Sequence, residues 1–313
     1  MKGKRVKKIA VFGAGTMGSG LAQVFAVAGH DVTIYSRKVE TLEKALEAMR
    51  ASLNILVDHG VLREATADGA VARIRPTQNL LEAGEKADFV LETIAESKEA
   101  KGALYAELDA VCPEEAVFAS NTSALNIFEL MPASRLPRTV VAHFFTPPQI
   151  IPLVEVVPGP ETSPEVLASV TSLLEECGKS PVVMKKFGPG FIVNRIQRAI
   201  GETSMDMIEE GLVEPQEIDS AIKLSLGIRL PVVGVMQTLD FQGLDMLLAY
   251  MKNVGKVYSF VEERVERGDL GVKSSRGIYD YEGRSALEVL QKRDELYLKM
   301  LDYLKEIGAF EPV

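Results

Sequence analysis

The stretch KIAVFGAGTMGSGLAQVFAVAGHDVTIYSR, residues Lys8 to Arg37, decides the fold of this chain. Ile9 to Phe12 is an apolar run that reads as a buried strand and enters Gly13-Ala14-Gly15-Thr16-Met17-Gly18. A helical pattern follows through Leu21, Val24, Phe25 and Ala28, and stops at Gly29. Asp31 to Tyr35 reads as a second strand. Strand, tight turn, helix and strand form the context in which a G-x-G-x-x-G run is a dinucleotide-binding fingerprint. Gly13 then makes the tight turn, Gly15 lets the backbone approach a pyrophosphate, and Gly18 lets helix and strand pack closely. Thr16 and Met17 open the helix whose N-terminus faces the phosphates. One part departs from the pattern. An acidic residue is expected at the end of the second strand, where it holds the adenine ribose hydroxyls; this chain has Ser36, then Arg37 and Lys38.

Outward from that stretch, strand-like and helix-like patterns alternate over the first ~185 residues, as a parallel sheet with flanking helices requires. Thr41 to Leu62 reads as one long helix, and Lys98 to Val111 and Val166 to Cys177 as two more. Strands are predicted at Ala87–Glu92, Ala116–Ser120, Thr139–Phe145, Leu153–Val157 and Pro181–Met184. Beyond Lys185-Lys186-Phe187-Gly188-Pro189-Gly190 the chain reads as helix after helix: Phe191–Glu210, Pro215–Leu226, Phe241–Val265 and Ser285–Ile307. The expected fold is α/β: a Rossmann-type dinucleotide-binding domain over residues 1–187, then an all-helical substrate and dimerisation domain over 188–313.

The chain has 313 residues, 47% hydrophobic and 25% charged, which suits a soluble globular protein of about two domains. A net charge of −9 argues against nucleic acid as a partner. The basic cluster Lys2, Lys4, Arg5, Lys7 and Lys8 reads as a solvated tail before the first strand. Together with Ile9 to Ala28 it imitates a signal peptide, but the glycines at 13, 15, 18, 20 and 29 break any apolar core. No run reaches the ~18 apolar residues of a membrane span. Cys112 and Cys177 have no metal-ligand spacing around them and read as reduced, structural thiols of a cytoplasmic protein. No metal site is expected.

Of the three histidines, His30 follows Gly29 in a turn and reads as surface, and His59 sits at a helix end where a cation suits the dipole. His143 differs, because it ends the apolar strand Thr139-Val140-Val141-Ala142. Glu155 interrupts the apolar strand Leu153-Val154-Glu155-Val156-Val157, where a carboxylate is costly without a partner. The turn between these strands can return Glu155 to hydrogen-bonding reach of His143. Such a pair suits alcohol oxidation: the imidazole takes the hydroxyl proton while hydride leaves, and the carboxylate orients the ring. A pair that only ties two strands together is the alternative.

These residues, taken together, resemble the L-3-hydroxyacyl-CoA dehydrogenases over nearly the whole chain. Gly13 to Gly18 is similar to the family's opening, Glu92-Thr93-Ile94-Ala95-Glu96 with Lys101 to its V-E-A-x-x-E segment, and Ser120-Asn121-Thr122-Ser123 to its S-N-T-S. His143-Phe144-Phe145-Thr146-Pro147 resembles H-F-F-N-P, Leu153 to Val157 resembles L-V-E-V-V, and Pro189 to Arg195 resembles P-G-F-I-V-N-R. Gly271 to Tyr281 resembles the family's G-x-K-x-G-x-G-F-Y-x-Y. The resemblance implies an NAD(P)-dependent enzyme, with His143 as general base or acid, Glu155 as its partner, and Ser123 and Asn194 on the substrate's reacting oxygens. It implies Glu96 and Lys101 beside the nicotinamide, and a homodimer. Ser123 as N-cap of a helix over Ala124–Met131, and Asn194 satisfying backbone at a helix start, are the structural alternatives.

Four departures bear on cofactor and substrate. Ser36-Arg37-Lys38 suits a 2′-phosphate through charge-assisted hydrogen bonds, so local chemistry leans to NADP while the resemblance implies NAD. Thr146 stands where the family has Asn. Val232 to Thr238 stands where it has P-M-G-P-F-E-L. The helical hairpin that presents lysines to coenzyme A in the family has Arg50 and Arg63 as its main cations here. Pro147 to Glu155 and Arg293-Asp294 are also similar to the lambda-crystallin type L-gulonate 3-dehydrogenases, which oxidise free hydroxy acids. The expected substrate is a 3-hydroxyacyl-CoA; a free hydroxy acid, or a non-catalytic nucleotide-binding role, is the alternative.

Overall fold

The computed structural model describes residues 6 and 8–311. The basic residues Lys2, Lys4, Arg5 and Lys7 of the expected N-terminal tail lie outside the described residues. Two compact units divide the chain, Met1–Ala199 and Ile200–Val313.

The first unit is built on one eight-stranded sheet: β1 (Lys8–Phe12), β2 (Asp31–Tyr35), β3 (Ile74–Thr77), β4 (Phe89–Glu92), β5 (Val117–Ser120), β6 (Thr139–Phe144), β7 (Leu153–Pro158) and β8 (Ser180–Val183). Their spatial order is β3-β2-β1-β4-β5-β6-β7-β8. All neighbours from β3 to β6 are parallel, β7 runs antiparallel to β6, and β8 runs parallel to β7. Strands β4, β5 and β6 are buried along their whole length, which is why they read as unbroken apolar runs. Helices α1 (Thr16–Val27), α2 (Val39–Asp58), α3 (Glu64–Arg73) and α6 (Pro164–Glu176) cover one face through a core that includes Leu21, Met49, Ala70 and Leu173. Helices α4 (Leu80–Gly84) and α5 (Lys98–Val111) contribute Ala83, Leu104 and Leu108 to a second core on Ala10, Phe12 and Phe118. Sequence order reverses at β1, between β2 and β4, and α1 starts at that switch point.

Helix α7 (Val193–Glu209) spans the division between the two units. The second unit holds α8 (Pro215–Ala221), a π-helical turn at Ile222–Leu226, α9 (Gly227–Gln242), α10 (Leu244–Asn253), α11 (Ser259–Glu266) and α12 (Ala286–Glu306). Leu244, Leu248, Met251 and Val261 form one small core there, and Val272, Tyr281 and Val289 another.

Several expectations change. The helix expected over Phe241–Val265 is three segments. Gly243, at φ 95°, starts α10, and Gly255, at φ 73°, follows its end. Apolar periodicity carries across both breaks and conceals them. The helix expected over Thr41–Leu62 is α2 alone and ends at Asp58, with α3, β3 and α4 following unanticipated. His30 is 6% exposed and packs its ring edge against Phe25, so it is a core residue rather than a surface one. The helix expected over Ala124–Met131 after Ser123 is not there; that stretch holds one 3₁₀ turn at Ile127–Glu129, with Asn126 before it.

Candidate active site

The β1–α1 turn is shaped for an anion. A Cβ on Gly13 would lie 2.7 Å from the Thr93 carbonyl oxygen, and one on Gly18 would collide with the carbonyl oxygen of Gly13. Gly15 faces open space where its Cβ would be. The N-terminus of α1 has no side-chain cap and no acidic residue in its first turn, which leaves its N–H groups for a phosphate. These residues fit a pyrophosphate. Beside the turn, Gly13 donates its N–H to Tyr35, the last residue of β2. Ser36 follows, half-buried, its hydroxyl accepting from the Lys38 N–H at 3.3 Å, with Arg37 and Lys38 exposed.

His143 and Glu155 pair directly across the antiparallel strands β6 and β7. His143 is 4% exposed and Glu155 fully buried, and Nδ1 lies 2.8 Å from Glu155 Oε2. The other carboxylate oxygen, Oε1, accepts the N–H groups of Ile192 and Val193, each at 2.9 Å. Burial alone would raise the Glu155 pKa, but the His143 hydrogen bond and the two backbone N–H groups outweigh it and hold it below its ordinary value. An ionised carboxylate only accepts, so Nδ1 carries a proton toward Glu155, and in the neutral ring Nε2 then holds the lone pair. Phe145 and Phe191 flank the ring, with centroids 4.6 and 5.3 Å away. Asn194 follows Val193 directly, so the backbone that binds Glu155 also starts the helix carrying that amide.

A second network joins the ends of β4 and β5. Glu92, fully buried, accepts from the Ile94 N–H, Lys101 Nζ, Tyr105 OH and Ser120 Oγ at 2.6–2.7 Å. Lys101, 1% exposed, also reaches Glu96 Oε2 at 3.3 Å. Glu96 Oε1 accepts from Thr122 Oγ1 and from the N–H groups of Ser123 and Ala124. Burial raises the Glu96 pKa, but the Thr122 hydroxyl, the Lys101 charge and those two N–H groups together lower it. Ser123 is exposed at the edge of this network. Lys101 lies inside it, beneath Glu96. Asn121 Oδ1 accepts the Phe144 N–H at 2.8 Å, which fixes the residue after His143. The roles of Glu92, Tyr105, Thr122 and Asn121 are not evident from the sequence. The available signal was Glu92 itself, a carboxylate ending the apolar run Phe89-Val90-Leu91, as Glu155 interrupts its own.

Beyond His143, Thr146 donates its hydroxyl to Met17 Sδ at 3.0 Å. Between α1, α2 and this loop lies a cavity of about 140 Å³ whose lining includes Thr16, Ser19, Gln23, Ser52, Thr146 and Gln149. Gln149 Nε2 donates to Ser52 Oγ at 3.1 Å.

Residues 8–187 match the model of the 3-hydroxyacyl-CoA dehydrogenase NAD binding domain, and residues 190–281 that of the 3-hydroxyacyl-CoA dehydrogenase C-terminal domain. The chain belongs to the 3-hydroxyacyl-CoA dehydrogenase family. It is 37% identical to a probable 3-hydroxybutyryl-CoA dehydrogenase of Bacillus subtilis over 90% of this chain and 99% of that protein. It is 31% identical to the 5-formyl-3-hydroxy-2-methylpyridine 4-carboxylate 5-dehydrogenase of Mesorhizobium japonicum over 88% and 91%. The solved 3-hydroxyacyl-CoA dehydrogenase of Archaeoglobus fulgidus superposes with a TM-score of 0.79 at 29% identity, over 96% of this chain and 99% of that one. Membership makes this chain a nicotinamide-dependent oxidoreductase of the 3-hydroxyacyl-CoA dehydrogenase type, acting on a CH–OH group. Helix α12 lies beyond the C-terminal match.

Proposed function

We propose that the chain interconverts a 3-hydroxyacyl-CoA and its 3-ketoacyl-CoA, with His143 as the general base in the oxidative direction. The observation that carries this is the buried His143–Glu155 pair, anchored on the backbone at 192–193. Nε2 takes the C3 hydroxyl proton as hydride departs, and Glu155 stabilises the imidazolium that forms. Ser123 and Asn194 hydrogen-bond the reacting oxygen. Gly13, Gly15, Thr16, Met17 and Gly18 hold the cofactor pyrophosphate, and Glu96, buttressed by Lys101, lies on the nicotinamide side. The bound nicotinamide supplies the hydride-accepting carbon.

At the ribose end, Ser36 with Arg37 and Lys38 provides no carboxylate to repel a 2′-phosphate, and we infer that NADPH binds at least as tightly as NADH. On this reading the nucleotide binds over residues 1–187, and substrate binding and homodimer formation belong to residues 188–313. The two free thiols are in keeping with a cytoplasmic protein.

A second reading keeps the chemistry and replaces the thioester with a free hydroxy acid. It is favoured by the relative whose name denotes a pyridine carboxylate substrate. Turnover of acetoacetyl-CoA against a free 3-keto acid, followed as loss of reduced-nicotinamide absorbance, separates the readings. Faster turnover of the thioester supports the first. No turnover of either, or of a broad panel of keto substrates, favours a non-catalytic nucleotide-binding protein.

A further inference from the structure

One loop joins the strand of His143 to the strand of Glu155, and it contains Pro147, Pro148 and Pro152. Proline has no N–H, so this loop is rich in acceptors and poor in donors of its own. The donors come from the turn between α6 and β8. Lys179 Nζ donates to the carbonyl of Pro148 and, at 3.1 Å, to that of Ile151. The next residue, Ser180, donates its N–H to the carbonyl of Pro152 at 2.8 Å.

Lys179 is 8% exposed, and burial lowers its pKa, the mark of an ammonium held at a desolvation cost. An apolar side chain would fill the space without that cost. The charge does what an apolar group cannot: one flexible donor binds two further carbonyls of a loop whose own Ile150 and Ile151 N–H groups both turn to Pro147. The same loop packs closely on α1, where a Cβ on Gly20 would lie 2.6 Å from Pro148 Cγ. The loop is therefore held from two sides while its ends carry the two members of the pair.

We propose that Lys179 is a positioning residue that fixes this loop, and through it the geometry of the His143–Glu155 pair. The proposal rests on the reading of His143 as general base. A loosened loop weakens the hydrogen bond that supports the imidazolium, so the base acts less well, while the glycine turn keeps its own backbone hydrogen bond from Gly13 to Tyr35.

The test is Lys179→Met, which keeps most of the volume and removes the donors. In the variant, kcat falls about tenfold to a hundredfold, as expected for misplacement of a reacting group. NADH binding stays within about twofold, since its residues lie on the β1–α1 side. The acid limb of kcat/KM moves to lower pH, a change that loss of fold alone does not produce. Lys179→Arg retains donors and recovers both readouts. If Lys179→Met yields no folded protein, Lys179→Gln carries the same measurements. An unchanged kcat with an unmoved acid limb overturns the proposal. An active parent and an inactive His143→Gln beside that result leave the proposed function standing. A parent without turnover overturns the proposed function itself.

Discussion

At the scale of single residues, the site divides into groups that do chemistry and groups that hold them. If His143 is the base, His143→Gln lowers kcat by about 10²–10⁴-fold, the usual worth of a positioned acid or base. Its NADH affinity, measured by fluorescence titration, stays near that of the parent, because the nucleotide turn is separate. A mutant with parental turnover would sink the assignment. Glu155 gives a prediction in stability as well. Its native pKa is depressed, so the unfolded state binds more protons as pH falls through the glutamate range. The stabilisation is full above the unfolded value of about 4.3 and is lost as pH drops through the lower native one. Thermal melts from neutral to strongly acidic pH should show a steeper acid decline for the parent than for Glu155→Gln; parallel declines would contradict it. Glu155 was legible because a lone carboxylate in an apolar strand demands a partner. Glu92 carried the same signal, but its partners come from three separate segments, and no local pattern announces such a convergence.

At the scale of elements, legibility followed the strength of local punctuation. The α5 helix lies where its pattern put it, at Lys98–Val111, because Ser97 caps it at one end and Pro113 follows closely at the other. The segment from Phe241 to Val265 misled because Gly243 breaks the helix without interrupting the apolar period. A glycine inside a periodic run costs a sequence-based reading little, yet here it marks a real break. The β2–α2 junction yields a prediction at this scale. Ser36 stands where a carboxylate would accept the ribose hydroxyls, and Arg37 and Lys38 are exposed beside it. Ser36→Asp should shift the ratio of NADPH to NADH affinity toward NADH by at least about tenfold, since a carboxylate beside a 2′-phosphate adds like-charge repulsion. Side-by-side titration of both reduced cofactors checks it, and an unmoved ratio refutes the ribose-site reading.

At the scale of the whole molecule, the sheet of the first unit and the helix that leaves it differ in how completely their apolar side chains are covered. The sheet of the first unit is faced by helices on both sides. Helix α7, by contrast, has no buried residue, and Ile196 and Ile200 are 44% and 40% exposed on it. Those two side chains, four residues apart, lie on one face with half-buried Met207. Apolar side chains exposed together on one helix face suit a contact surface. A second copy is the occupant consistent with the homodimer inferred from the family resemblance, and a two-fold axis would bring the same face of each copy into contact. Paired substitution Ile196→Glu with Ile200→Lys alters that face without touching a core. The parent should sediment as a dimer at micromolar concentration, and the double variant should shift toward monomer with its melting temperature little changed once the concentration dependence of dimer stability is allowed for. A monomeric parent would assign the α7 face to some other contact. A parent dimer that survives both substitutions would move the interface to another surface of the helical unit.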